Sequence, residues 1–177
     1  MAEFAMLTGQ RKTAVVRLRW ADVDLIHREA KFTMKTRGEN KRHHSVPLTA
    51  RMLGIVGMFP KVGPFIFTYE CQRNSPRRAD RPVRISGERF PFSVQGWSRQ
   101  WRAALRDARI DDFRWHDLRH TAASRLLRSV HNLKMVQELL GHQSIDQTAR
   151  YAHITKSDLR RALEQADESR ILTAVAS

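Results

Sequence analysis

The sequence has one cysteine, Cys71, and two tyrosines, Tyr69 and Tyr151. A single cysteine excludes an internal disulfide framework and suits a reducing compartment, so a cytoplasmic location is expected. No stretch approaches the roughly 20 consecutive apolar residues that a membrane helix needs. The opening Met1-Ala2-Glu3-Phe4 lacks both the charged start and the apolar run of a secretory leader; residues 1–4 read instead as a candidate vector-derived scar. No basic amphipathic helix is flanked by apolar anchors, which argues against a membrane partner. There is no cysteine pair, no H-E-x-x-H acid between His116 and His120, and no G-x-x-x-x-G-K-[ST] loop. Neither a metal nor any other cofactor is therefore expected. Internal repeats and low-complexity tracts are also missing.

Acidic residues are scarce beside basic ones: 18 Asp and Glu against 32 Lys and Arg, a net charge of +14. Such an excess is the electrostatic footprint of a nucleic-acid partner. Apolar residues make up 41% of 177 residues, enough for one globular domain with a core of its own.

The segment Thr8-Gly9-Gln10-Arg11 reads as a turn, and with so few residues before it no element is expected to pack behind it. An apolar-patterned stretch follows with Val15, Val16, Leu18 and Trp20. Residues 23–26, 31–36 and 44–48 are short runs rich in β-branched and aromatic types, separated by polar turns such as Arg37-Gly38-Glu39-Asn40. They predict a small antiparallel sheet near the N-terminus. Thr49 should cap a helix carrying Met52, Leu53 and Val56. Phe65-Ile66-Phe67 suits a short extended run, and residues 73–88, rich in arginine and proline, suit an exposed loop. Beyond Ser93 the pattern turns helical. Trp97, Trp101 and Leu105 form one apolar stripe, and Leu118, Ala122 and Leu126 form another. Asn132 opens a helix that Gly141 ends, Ser144 and Gln147 have the spacing of a capping box, and Thr155 opens a last helix. The apolar tail Ile171-Leu172-Thr173-Ala174-Val175 suits docking on this domain or a neighbour. The fold class is thus mostly α with a small three-stranded antiparallel sheet (α+β). The four tryptophans are expected in the core or at an interface, and Tyr69 in packing.

Chemistry concentrates in two segments. In Trp115-His116-Asp117-Leu118-Arg119-His120-Thr121, His116 and Arg119 share a helix face away from the apolar stripe. A guanidinium fork matches phosphate oxygens, and an imidazole exchanges protons near neutral pH. In the second segment, Leu139-Leu140-Gly141-His142 places an imidazole at a helix end, and Tyr151 follows nine positions later. By its residues alone Tyr151 is open to three roles: packing, hydrogen bonding or nucleophilic attack.

Taken in order, Thr8-Gly9-Gln10-Arg11, Leu18-x-Trp20-x-Asp22, Lys35 before the hairpin, Val46-Pro47-Leu48, His116-Asp117-Leu118-Arg119-His120-Thr121, Leu139-Leu140-Gly141-His142 and Tyr151 resemble the catalytic domain of the tyrosine site-specific recombinases, the phage-type integrases. The resemblance runs from about residue 7 to residue 165. It implies a catalytic set of Arg11, Lys35, His116, Arg119, His142 and Tyr151. It further implies cleavage and rejoining of double-stranded DNA through a 3′-phosphotyrosine, without metal or ATP, in a tetramer on two duplexes; the free chain is expected as a monomer. Asp117 and His120 would support the site. Arg37, Lys41, Arg42 and His43, with His44 beside them, would face DNA phosphates. Ala14 stands where relatives usually carry Glu. Relatives also carry a DNA-clamping domain before the Thr-Gly-x-Arg turn, so residues 1–177 are expected to be one catalytic domain shortened at its start, with 169–177 as a tail. A type IB topoisomerase-like enzyme and a non-catalytic DNA-binding fragment are the alternatives.

Overall fold

A computed structural model describes residues 1–34, 42–75, 83–151, 160, 163 and 164. The elements run α1 (Ala2–Thr8), α2 (Lys12–Val16), a single 3₁₀ turn (Trp20–Asp22), β1 (Val23–Asp24), β2 (Glu29–Met34), β3 (Arg42–Pro47), α3 (Ala50–Gly57), β4 (Thr68–Glu70), β5 (Arg89–Pro91), α4 (Ser98–Asp107), α5 (Asp117–Val130), α6 (Leu133–Leu140) and α7 (Asp146–Ala149). This is the expected class: mostly helical, with an antiparallel β1-β2-β3 sheet near the N-terminus.

Local chemistry explains most boundaries. Along β2, Ala30 and Phe32 are buried while Lys31 and Thr33 are exposed, the period-2 pattern of a strand with one face on a core. Ala30 lies opposite Val46, and Phe32 opposite His44. Thr49 Oγ1 accepts the Met52 N–H and starts α3. Asn132 Oδ1 accepts from the Lys134 and Met135 amides and starts α6. α6 stops at Gly141, whose φ of 66° is left-handed.

The main core joins Phe4, Val15, Leu18, Phe32, Val46 and Phe67 to Trp97, Trp115 and Leu118. Three tryptophans meet edge to face: Trp97 and Trp115 have centroids 4.4 Å apart, and Trp101 and Trp115 5.0 Å. Lys12 Nζ lies 4.5 Å from the Trp97 ring centre. A smaller cluster of Ala123, Val136 and Leu140, with Tyr151 at its edge, joins α5 to α6. Tyr69 packs on Phe90 and Phe92.

Three local expectations are corrected. An element does pack behind the Thr8 turn. It is α1, whose Phe4 and Ala5 are fully buried, and short as it is, it closes the core between α5 and α3. Residues 68–91 hold a second two-stranded sheet, β4-β5, where only an extended run at 65–67 and a loop at 73–88 were expected. Its pairing continues through Cys71 and Glu88, so part of that arginine-rich segment is paired backbone. Ser144 and Gln147 form no capping box: Ser144 Oγ accepts the Asp146 N–H and donates to Asp146 Oδ2, a closed loop two residues long. The expected helix from Thr155 lies mostly outside the described residues, and only 160, 163 and 164 are seen, all helical. No helix among the described residues is long and apolar enough to cross a membrane.

Because Phe4 sits 5.3 Å from Phe67, ring centre to ring centre, with no exposed surface, Phe4→Ala should cost about 3–5 kcal/mol in urea unfolding. Ile26→Ala, at a residue 88% exposed, should stay within about 0.5 kcal/mol. Equal effects would contradict the placement of α1 in the core.

Candidate active site

The site is built around Arg119 on α5. The residue is only 3% exposed, although its place opposite the apolar stripe predicts an open face. Nη1 donates to the Gly9 carbonyl at 2.7 Å, and Nη2 donates to the Leu140 carbonyl at 2.9 Å. Both acceptors lie at helix ends, where carbonyls lack intrahelical partners. One guanidinium thus joins the end of α1, the start of α5 and the end of α6. Two of its five N–H groups are used in this way.

The end of α6 collects two more side chains. Gln10, itself buried, donates Nε2 to the Leu139 carbonyl at 2.7 Å. His44 Nε2 lies 3.1 Å from the same oxygen and, since a carbonyl can only accept, donates to it. Glycine is needed at both turns. At Gly9, φ is +64° and a Cβ would fall 2.9 Å from Leu140 Cδ2. At Gly141, a Cβ would fall 2.9 Å from the His44 ring. His44 therefore packs against the α6 turn, half-buried, and is not one of the outward hairpin cations, contrary to expectation. Arg42 and His43, next to it on β3, are exposed.

His142 follows Gly141 directly. Its Nδ1 lies 2.8 Å from Thr148 Oγ1 on α7, and Thr148 is completely buried. The Thr148 carbonyl in turn accepts the Tyr151 N–H at 2.9 Å. His116 is the residue before α5, and its ring meets that of His120 edge to face at 4.9 Å. His120 also faces Tyr151, 5.5 Å away between ring centres. Asp117 Oδ2 accepts the Arg114 N–H at 2.7 Å and shapes the turn that presents His116. Arg11 opens α2 directly after the Thr8-Gly9 turn. Lys35, Arg37 and Lys41 lie outside the described residues.

Electrostatics bind these groups into one site. Burial, with the nearby Arg11 and Arg150 cations, lowers the Arg119 pKa to about 10, while Tyr151 acts in the opposite sense. Arg119 is still a cation at neutral pH. Burial and then Arg119, Arg11 and Arg150 push His142 down to about 4. His116 is lowered by burial, His120, Arg119 and Arg11, against the pull of Asp117. The result is a group of guanidiniums with neutral imidazoles among them, suited to an anion with charge spread over several oxygens. Among the described residues no group of three or more His, Cys, Asp or Glu is placed to hold a metal ion.

Of the six residues expected to act together, Arg11, His116, Arg119, His142 and Tyr151 converge. Sequence reasoning missed Arg150, Gln10 and Thr148 and misplaced His44. Arg150 had a usable signal, a cation adjoining the tyrosine. The other three had none, since their roles depend on partners distant in sequence or folded back by a turn.

Residues 1–158 match the phage integrase family, and the chain belongs to that family. It is 29% identical over 170 residues to the integrase of Salmonella phage P22, covering 94% of this chain and 42% of that protein. It is 30% identical over 171 residues to the shufflon-specific DNA recombinase of Escherichia coli, covering 91% of this chain and 37% of that protein. Its fold matches the catalytic domain of bacteriophage HP1 integrase with a TM-score of 0.61 at 23% identity, covering 92% of this chain and 78% of that one. The chain thus spans about two fifths of the length of these two curated relatives.

The depressed His142 pKa has a signed consequence. An unfolded histidine titrates near 6.5, and folded His142 near about 4. As pH falls, the unfolded chain takes up this proton first. The contribution to stability is whole above pH ~6.5 and is lost progressively down to pH ~4. Acid destabilisation across that window should be smaller in His142→Gln. In an NMR titration His142 should protonate near about 4, while His27, held charged by Asp24, should protonate above its ordinary value. A His142 midpoint above 6.5 would contradict the cationic surroundings.

Proposed function

We propose that this chain is the catalytic domain of a tyrosine site-specific recombinase that breaks and rejoins duplex DNA through a covalent bond to Tyr151. The observation that carries this reading is the buried Arg119, fixed between Gly9 and Leu140 with Arg11, His116, His142 and Tyr151 gathered around it.

Tyr151 Oη attacks the scissile phosphorus, the P–O5′ bond breaks, and a 3′-phosphotyrosine and a free 5′-hydroxyl result. Charge accumulates on the nonbridging oxygens as the bond order shifts. Arg11 and the unused N–H groups of Arg119 stabilise it, with His142 donating as a neutral imidazole. His116, its pKa lowered by burial and nearby cations, takes the tyrosine proton, and the His120 ring contacts both His116 and Tyr151. Lys35 protonates the departing 5′-oxygen. One ester replaces another, so the bond energy is retained and the reverse attack by a 5′-hydroxyl needs neither ATP nor metal. Exposed Arg42 and His43 on β3 contact the DNA backbone, together with Arg37 and Lys41. Strand exchange takes place in a tetramer on two duplexes, in the cytoplasm.

Tyr151→Phe should abolish covalent adduct on a nicked suicide substrate while leaving DNA binding intact, and Tyr69→Phe, in a packing position, should react normally. Adduct persisting in the Tyr151 variant would remove the nucleophile from the mechanism.

Lys35→Ala should slow cleavage by about 10²- to 10⁴-fold, the range of general acid catalysis. Sulfur in place of the bridging 5′-oxygen makes a leaving group that needs little protonation. That substrate should restore Lys35→Ala and not Arg119→Ala, whose function is on the nonbridging oxygens. Rescue of both variants, or of neither, would assign the acid elsewhere.

A further inference from the structure

We propose that Thr148 is a positioning residue that holds His142 as the Nε2–H tautomer and thereby makes it a hydrogen-bond donor to the scissile phosphate, while tying its position to that of Tyr151. The inference rests on the recombinase reading for the identity of the phosphate, but not for the tautomer.

Thr148 is fully buried, and its side chain has His142 Nδ1 at 2.8 Å as its hydrogen-bond partner. A threonine hydroxyl carries one donor and two acceptor sites. If Nδ1 bore the proton, Oγ1 would accept it, and the hydroxyl hydrogen would have no acceptor among the described residues. Leaving a buried donor unpaired is costly. If Oγ1–H donates to Nδ1, the buried hydroxyl proton has its partner and the imidazole proton resides on Nε2. The bond made by one ring nitrogen thus sets what the other can do.

The ring remains neutral among Arg119, Arg11 and Arg150, so the proton on Nε2 is there to be donated in a hydrogen bond, not released as an acid. Thr148 has a second attachment. Its backbone carbonyl accepts the Tyr151 N–H at 2.9 Å, and its own N–H is held by the Ile145 carbonyl at 2.8 Å. One residue therefore fixes the orientation of His142 through its side chain and the backbone of Tyr151 through its main chain. The phosphate ligand and the nucleophile cannot drift apart without breaking α7. His116 has no such hydroxyl partner among the described residues; its ring meets His120, which suits a group that exchanges a proton.

The test is ¹⁵N NMR of the histidine rings in the whole chain at neutral pH, with the His142 signals assigned by their loss in His142→Gln. Wild type should show a protonated Nε2 and a hydrogen-bonded, unprotonated Nδ1. Thr148→Val, nearly the same shape without the hydroxyl, should move Nδ1 to the shift of an unbonded nitrogen and slow adduct formation by about tenfold. Thr148→Ser should restore both. A protonated Nδ1 in wild type, or an Nδ1 signal unchanged in Thr148→Val, overturns the proposal. If Thr148→Val does not fold, the wild-type tautomer still decides. If wild type forms no adduct on nicked DNA, the recombinase reading fails for this chain, and the ring signals continue to test Thr148 independently.

Discussion

The buried guanidinium of Arg119 is the constraint on which the rest of the structure depends. A cation withdrawn from water needs partners for its buried donors, and here two helix-end carbonyls, of Gly9 and Leu140, take two of its five N–H groups. The same bonds settle the relative positions of three segments far apart in sequence. Removing the side chain would leave two carbonyls unsatisfied and loosen the junction where α1, α5 and α6 meet. Stability and site geometry therefore share a single side chain. The two glycines follow from this closeness: at Gly9 and Gly141 the backbone turns left-handed where a neighbouring side chain leaves no room for a Cβ.

Around this centre, charge and burial act together. Desolvation, and after it the Arg119, Arg11 and Arg150 cations, hold His142 neutral; desolvation, His120, Arg119 and Arg11 lower His116. An arriving anion would offset the repulsion among the guanidiniums. The site is poised for an anion, and its imidazoles offer neutral donors and acceptors whose direction is set by their second nitrogen. The second nitrogen of His142 meets the Thr148 hydroxyl, and the Leu139 carbonyl accepts from His44.

His44 also links the sheet to the site. β3 runs from the segment that carries Lys35, Arg37 and Lys41, and it is attached to the α6 turn through His44. The strand alternates between duties: Val46 enters the core, His44 latches the helix end, and Arg42 and His43 remain at the surface.

Much of the fold was legible in the sequence because it depends on local periodicity. The three-stranded sheet, the helix capped by Thr49, the helix from Asn132 to Gly141 and the tryptophan stripe all follow from apolar spacing and cap chemistry within a few residues. The ordered segments holding Arg11, His116, Arg119, His142 and Tyr151 were legible too, since residue type and spacing carry a family pattern. The β4-β5 pairing was not, because its strands are three residues each and set apart by an arginine-rich segment that reads as loop. Nor was the helical start: α1 is seven residues long, too short to hold itself together, and exists because Phe4 fills the core. By itself the sequence determined which chemical groups are present and the order in which they come. Tertiary structure alone decided that Arg119 is buried and not open, that His44 faces inward, and that Thr148 meets His142. These depend on which carbonyls and hydroxyls long-range packing brings within hydrogen-bonding distance, and no local pattern encodes that.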